Sequence, residues 1–314
     1  MRYYFAPMEG ITDCTYRSLH HKYFPGLDQY YTPFFSPTIH RSLTKKEQRE
    51  LPPADTLTYK AVPQILTKVP EDFLWMAQMC ADAGYQQVNL NLGCPSGTVT
   101  AKGKGSGMLA DPDSLDRFLE SIFAKANLPI SVKTRLGFQN QDEFPKLLDI
   151  FNQYPIHELT IHPRVRAQFY NGVVDMQAFG YAAQNAKIPL CFNGNLICID
   201  DIQRITEQFP SVDAVMLGRT LIGDPGIFTP GGTNPDILEA FTSELLEEYT
   251  RTFESSRNAM FRMKENWRYL LCKFEGSEKL GKQLRKTTDI VQFKEITHRI
   301  IQELPMRTQL SPDW

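Results

Sequence analysis

"VNLNLGCPSGTVTAKGKGSGML" (residues 88–109) begins as a short apolar strand and turns at Gly93. It then presents Cys94 followed at once by Pro95, with glycines, lysines and hydroxyls behind. The next segment, "DPDSLDRFLESIFAKA" (residues 111–126), has helical spacing. Asp111 can cap it, Pro112 suits the first helical position, and Leu115, Phe118, Leu119, Ile122 and Phe123 form one apolar face. "ISVKTRL" (residues 130–136) is again strand-like. A strand, a loop, a helix and a second apolar strand read as one parallel crossover unit.

The same alternation runs through about 225 residues. Further strand-like runs are "YYFAPM" (3–8), "AVPQIL" (61–66), "ELTIH" (158–162), "PLCFNG" (189–194) and "AVMLG" (214–218), with "LDQYYT" (27–32) a weaker member. Strands apolar on both faces imply a parallel sheet covered by helices. Eight of them, without a GxGxxG fingerprint, predict a (β/α)8 TIM barrel rather than an open doubly wound sheet. Function in a barrel sits where strands end at their C-terminal side. The polar residues falling there are Gln64, Asn91, Lys133, His162, Asn193 and Arg219. "TPGGTNPD" (229–236) reads as a linker, and residues 238–309 carry helical periodicity without strand signal. The expected organisation is therefore a barrel over 1–235 and a small helical domain over 236–314.

Bulk properties narrow the class. The 314 residues are 42% hydrophobic, and no apolar run approaches the roughly 20 residues a bilayer requires. The N-terminal "MRYYFAPMEG" lacks the longer apolar core of a signal peptide, so a cytoplasmic protein is expected; a monomer is expected as well. Six scattered cysteines with no CxxC pair suggest neither a disulfide framework nor a zinc site, and no metal is expected. Only Cys94 stands in a context that suggests chemistry. Net charge is −2, yet residues 251–307 hold thirteen Lys/Arg against seven Asp/Glu. That segment reads either as a surface for an anionic partner or as a solvated helical face.

The strand ends carry recognisable chemistry. Asn193-Gly194 and Gly218-Arg219 end the seventh and eighth strands, where barrels often cradle phosphate, although each glycine alone also reads as a turn. Lys133 interrupts an apolar strand, so it should face an anion, an electron-rich cofactor or a carbonyl. A Schiff-base lysine is the rival reading. His162 ends the next strand, as a structural histidine or as part of the same site.

Several stretches, in order, resemble one family. They are "FAPMEGITDCTYR" (5–17), "NLGCP" (91–95) with "KGKGSGML" (102–109), "VKTRLG" (132–137), "IHPRVRAQFY" (161–170), "NGN" (193–195) and "DAVMLGRTLIGDPGIF" (213–228). Together they resemble the tRNA-dihydrouridine synthases of bacterial type, FMN-dependent barrels with a C-terminal helical domain. The resemblance implies reduction of the uracil C5=C6 bond in tRNA, with NADPH or NADH as reductant. Hydride would reach C6 from the flavin and Cys94 would protonate C5. A thiol with an ordinary pKa of about 8.5 is mostly protonated at neutral pH, as a proton donor must be.

Other roles follow from the resemblance by position. Asn91, Arg135 and Tyr170 match substrate-side residues. Pro7, Met8, Gln64, Lys133, His162, Asn193, Gly194, Gly218 and Arg219 match the flavin site, the last four at its phosphate end. Three positions depart from the family pattern: Asn89 where an acid is frequent, Pro163 after the histidine where glycine is common, and Asn195 where Asp or Glu is frequent. The basic tail is the expected RNA clamp, with Arg257, Arg262, Lys264, Arg268, Lys273, Lys279, Lys282, Arg285 and Lys286 as phosphate contacts. The rival functions are an FMN barrel oxidoreductase acting on a free pyrimidine or other small molecule, a silent RNA-binding protein on the same scaffold, and a Lys133 aldolase.

Overall fold

The structure, a computed structural model, describes residues 1–38 and 40–312, so the last two positions of the 236–314 segment lie outside the described residues. It resolves into two compact units. One comprises Met1–Pro7, Asp28–Asn195 and Ile202–Met216; the other comprises Met8–Leu27, Leu196–Asp201 and Leu217–Trp314.

All eight strand-like runs form strands, and one of them is split. The strands are β1 (Arg2–Phe5), β2 (Gln29–Tyr31), β3 (Ala61–Val62), β4 (Gln64–Ile65), β5 (Val88–Leu92), β6 (Ile130–Arg135), β7 (Leu159–His162), β8 (Leu190–Asn193) and β9 (Ala214–Leu217). They pair in the order β3-β2-β1-β9-β8-β7-β6-β5-β4. The two ends of that order are neighbours in the chain, separated by Pro63 alone. Ala61 and Val62 pair with Tyr30 and Tyr31, while Gln64 and Ile65 pair with Asn89 and Leu90. The sheet therefore closes on itself as an eight-stranded parallel barrel. Its third strand is interrupted at a proline, which has no N–H to give to a ladder.

The period of two in each strand sorts side chains between interior and helices. One arc of the interior is apolar: Tyr4, Ala6, Tyr31, Val62, Cys191, Ala214 and Met216 pack as a buried cluster. The other arc is polar. There β4 to β6 place Gln64, Asn89, Asn91, Ser131 and Lys133 side by side, in the register Asn89↔Ser131 and Asn91↔Lys133. The intervening Val88, Leu90, Leu92 and Val132 are fully buried on the outward face. Between β5 and β6 the helix Pro112–Phe123 forms as its sequence predicts. Asp111 accepts from the Ser114 N–H at 3.1 Å, and Leu115, Phe118, Leu119 and Ile122 are buried. Phe123 departs from that expectation: it is half-buried and stacks on Tyr154 with ring centroids 5.5 Å apart.

The second unit is helical. Its longer helices are Cys14–Tyr23, Pro235–Phe253, Ser256–Leu270, Glu278–Lys286 and Ile290–Glu303. Phe241 receives the rings of Tyr16, Tyr23 and Phe24 at 5.6, 6.0 and 5.3 Å. "TPGGTNPD" is stitched rather than loose. The Thr233 hydroxyl donates to Asp224 at 2.6 Å and accepts the Gly226 N–H at 2.7 Å. The other Asp224 oxygen pairs with Lys273 Nζ at 2.6 Å, with both side chains under a tenth exposed. Gly226 is required there, because a Cβ would lie 2.6 Å from the Thr233 nitrogen. Removing one partner of a buried pair strands the other charge, at a cost of about 3–5 kcal/mol. Asp224→Ala is expected to lose about that much in urea unfolding, and Asp224→Leu with Lys273→Met to recover most of it.

Candidate active site

Cys94 lies one residue beyond the Gly93 turn at the end of β5, half-exposed and held on both sides. The Asn91 carboxamide oxygen accepts the N–H of Gly93 at 3.0 Å and of Cys94 at 2.9 Å. The Cys94 carbonyl accepts the Ser106 hydroxyl at 2.7 Å and the Ser106 N–H at 3.2 Å. Gly105 makes that return possible. It sits at φ +59°, and a Cβ on it would stand 3.0 Å from the Cys94 oxygen. The stretch behind the cysteine is therefore tied back on itself.

Asn91 is in turn gripped from below. Its Nδ2 donates to Gln64 Oε1 at 2.7 Å, and Gln64 Nε2 donates to Asn89 Oδ1 at 2.7 Å. Asn91 and Gln64, assigned by sequence to substrate and flavin, thus touch each other and form the floor of the Cys94 turn.

Lys133 lies beside Asn91 in the β5–β6 register. Among the described residues no carboxylate pairs with its ammonium. Burial pushes it from an ordinary 10.5 down to about 8, and the neighbouring Arg135 acts in the same direction. A half-buried cation without a counter-ion has the electrostatics of a site that receives an anionic or electron-rich group.

Arg135 is itself buried and spends its donors on main-chain carbonyls. It reaches Gly93 at 2.8 Å, Val165 at 3.2 Å and Phe169 at 2.6 Å. Burial lowers its guanidinium to about 10. Its guanidinium lies 5.5 Å from the ring centre of Tyr170, which is 53% exposed and so available to a ligand. Arg135 thus joins the loop after β5 to the loop after β7.

His162 is buried at the end of β7, and Arg164 Nη1 approaches its Nε2 at 2.9 Å. Arginine can only donate, so Nε2 accepts and the proton of the neutral ring sits on Nδ1. Arg164 also donates to the carbonyls of Asn171 at 3.1 Å and Gly172, and to Asn195 Oδ1 at 3.3 Å. It is a fully buried organiser that sequence reading passed over, although a second arginine within an apolar strand's exit was the available signal.

Two of the three departures find work through their side chains: Asn89 joins the Gln64 contact and the Asn195 amide oxygen serves Arg164, while the Pro163 carbonyl accepts the Asp175 N–H at 2.8 Å, as any residue there could.

The remaining assigned residues divide between the units. Pro7, Asn193 and Gly194 belong to the barrel unit; Met8, Gly218 and Arg219 belong to the helical unit and are half-buried there. Asn193 donates to the Met216 carbonyl at 2.7 Å. Gly194 admits no side chain, since a Cβ would meet the Phe192 ring at 2.8 Å. The Met8 carbonyl accepts from Ile11 and Thr12 at 3.0 Å each. Gly218 precedes the short helix Arg219–Gly223.

Basic side chains separate into available and committed. On the barrel unit, Lys68 and Lys102 are exposed and both depress the Lys104 amine, which burial lowers first. Lys104 donates to Ser36 at 2.9 Å. In the helical unit, Lys273 is buried against Asp224 and is withdrawn as a phosphate contact. Lys264 is spent on the carbonyls of Arg285 and Thr287, and Arg262 faces Asp13 at 3.8 Å. Arg257, Arg268, Lys279, Lys282, Arg285 and Lys286 are exposed, the last four on one helix. Trp267 is buried core.

A sequence profile of the dihydrouridine synthase (Dus) family matches residues 4–303. The chain belongs to that family. As a dihydrouridine synthase it is a flavin-dependent oxidoreductase of bacterial type. It is 30% identical over 305 residues to the tRNA-dihydrouridine(16) synthase of Escherichia coli O157:H7, covering 91% of this chain and 93% of that one. It is 27% identical to the probable tRNA-dihydrouridine synthase 1 of Synechocystis sp., covering 94% and 85%. It is 31% identical to tRNA-dihydrouridine synthase B of Proteus vulgaris over 71% and 68%. The barrel fold is shared with morphinone reductase, at TM-score 0.53 and 10% identity over 74% of this chain and 86% of that one.

In this synthase Arg135 is the strut between two loops, and a lysine cannot span three carbonyls from one planar head. Arg135→Lys is expected to cost about 1–3 kcal/mol and to speed amide exchange in residues 93–106 and 165–172 together. Unchanged exchange in either loop would remove the strut role.

Proposed function

We propose that the chain is an FMN-dependent tRNA-dihydrouridine synthase that reduces the C5=C6 bond of uridines in tRNA with NADPH or NADH. The observation that carries this reading is a half-exposed cysteine, its backbone pinned at a barrel mouth, beside a lysine that has no counter-ion among the described residues, in a member of the Dus family.

The residues suit a flavin. Lys133 offers a positive charge to an electron-rich ring edge. His162 has its tautomer set by Arg164, and Gly194 keeps the β8 exit free of a side chain. Pro7, Met8 and Gln64 complete the cofactor assignment, with Asn193, Gly194, Gly218 and Arg219 toward the phosphate. FMN, when bound and reduced by the nicotinamide, supplies hydride to C6 of the uracil.

The chain's own groups do the rest. The Cys94 thiol delivers its proton to C5 and is reprotonated from solvent. The second amide hydrogen of Asn91 is left for the base edge, because its oxygen is filled by two backbone donors. Tyr170 and the Arg135 platform flank the substrate. A uridine reaches a barrel mouth only out of its stack, and phosphate contacts offset that cost. Lys68 and Lys102 beside the Cys94 loop, and the exposed cations of the helix Glu278–Lys286, supply those contacts.

The deciding experiment is anaerobic flavin absorbance. NADPH should bleach the holoprotein, and unmodified tRNA should restore the spectrum; the uridine at position 16 is the first to map, given the full-length relative. Recovery with a free pyrimidine but not with tRNA would favour the small-molecule oxidoreductase. Cys94→Ala should bleach normally yet reoxidise with tRNA roughly 10²–10⁴-fold more slowly. Wild-type reoxidation would exclude Cys94 as the proton donor.

The Lys133 ammonium is protonated below about 8 and neutral above it. FMN affinity is therefore expected to weaken as pH rises through 8. Lys133→Met should bind FMN more weakly and lose that pH step, as measured by flavin fluorescence quenching.

A further inference from the structure

Five buried side chains form one continuous ladder inside the barrel. Gln87 Nε2 and Asn89 Nδ2 both donate to Ser131 Oγ, at 2.9 Å each. Ser131 turns its own proton toward the Val88 carbonyl at 3.3 Å. Asn89 Oδ1 accepts from Gln64 Nε2, Gln64 Oε1 accepts from Asn91 Nδ2, and Asn91 Oδ1 accepts the N–H groups of Gly93 and Cys94. Gln87, Asn89, Asn91, Ser131 and Gln64 are each 7% exposed or less.

The ladder has a direction. Two backbone N–H groups, which can only donate, face Asn91 Oδ1, so Asn91 must turn its Nδ2 to Gln64. Gln64 must then turn its oxygen to Asn91 and its Nε2 to Asn89, which leaves the Asn89 Nδ2 for the Ser131 hydroxyl. Flipping Asn91, Gln64 or Asn89 alone sets donor against donor or acceptor against acceptor at a buried position.

We propose that Ser131 and Asn89 are positioning residues for Cys94: their hydrogen bonds hold the Gln64 and Asn91 amides in that arrangement and thereby support the backbone conformation that aims the thiol. Neither touches substrate or cofactor; both act through Asn91. The ladder also explains a neutral residue at position 89. An amide there supplies both the donor that Ser131 takes and the acceptor that Gln64 needs, without burying a charge.

The functional half of this inference rests on the synthase reading, and the structural half does not. Two measurements therefore run on the full-length holoprotein with Ser131→Ala, Ser131→Thr, Asn89→Leu and wild type. The first is amide hydrogen exchange at Gly93 and Cys94, with the amides of the helix Pro112–Phe123 as a fold control. Exchange at the turn should rise roughly tenfold in Ser131→Ala and Asn89→Leu while the control is unchanged, and Ser131→Thr should restore protection. The second is steady-state reduction of tRNA. Ser131→Ala should lower kcat on the order of tenfold or more, with KM for tRNA and flavin content near wild type.

Wild-type exchange at Gly93 and Cys94 in Ser131→Ala would overturn the ladder as a support, whatever the activity. Faster exchange with unchanged kcat would overturn the positioning role. Loss of control-helix protection in Asn89→Leu would leave the milder Ser131 pair to decide. Failure of the synthase reading itself would appear separately, as an absence of tRNA turnover in wild type.

Discussion

A polar side chain buried inside a closed parallel barrel loses its contacts with bulk water. It must find its partners among the other strands or cost the fold several kcal/mol. The barrel meets this demand by segregation. Tyr4, Ala6, Tyr31, Val62, Cys191, Ala214 and Met216 fill one arc without needing many partners. The amides and hydroxyl of β4, β5 and β6 fill the other and satisfy one another. Because the polar arc runs up to the strand ends, its topmost member closes on the Cys94 turn rather than on another side chain. Packing of the interior and conformation of the reactive loop are thus one structural problem with one solution.

Buried arginines extend that rigidity outward. Arg135 collects carbonyls from the loops after β5 and β7, and Arg164 collects carbonyls from the far end of the second loop together with His162 and Asn195. Each guanidinium replaces several lost water contacts with main-chain acceptors, which holds irregular backbone without regular secondary structure. The cost is a concentration of positive charge. Lys133 and Arg135 stand on β6 and Arg164 just beyond β7, and among the described residues neither Lys133 nor Arg135 pairs with a carboxylate. Burial lowers the Lys133 ammonium first, and the neighbouring Arg135 adds to it. A reduced flavin and an RNA strand are both suited to such a field.

Much of this was legible along the chain. The eight strands follow from apolar runs at repeating intervals, and the helix Pro112–Phe123 from a cap, a proline and an apolar stripe. The alternation Gln87-Val88-Asn89-Leu90-Asn91-Leu92 even states that one face of β5 is polar. It does not state what those amides touch, because their partners lie 25 to 44 residues away on other strands. The charge of the C-terminal segment was read correctly as a sum and wrongly as a surface at one point. Lys273 counts as a cation in either place, but only packing reveals that Asp224 consumes it.

By itself the sequence determined the class of the fold, the strand ends where polar residues gather, and the family, since each depends on local periodicity or on short contiguous motifs. Tertiary structure decided the rest. It made Arg135 and Arg164 struts, turned a glycine-rich linker into a stitched loop, and grouped Met8–Leu27 in the same compact unit as the C-terminal helices. The reason is the same in each case. A hydrogen-bond partner or a neighbouring charge is chosen by distance in space, and in a barrel that distance bears no relation to separation along the chain.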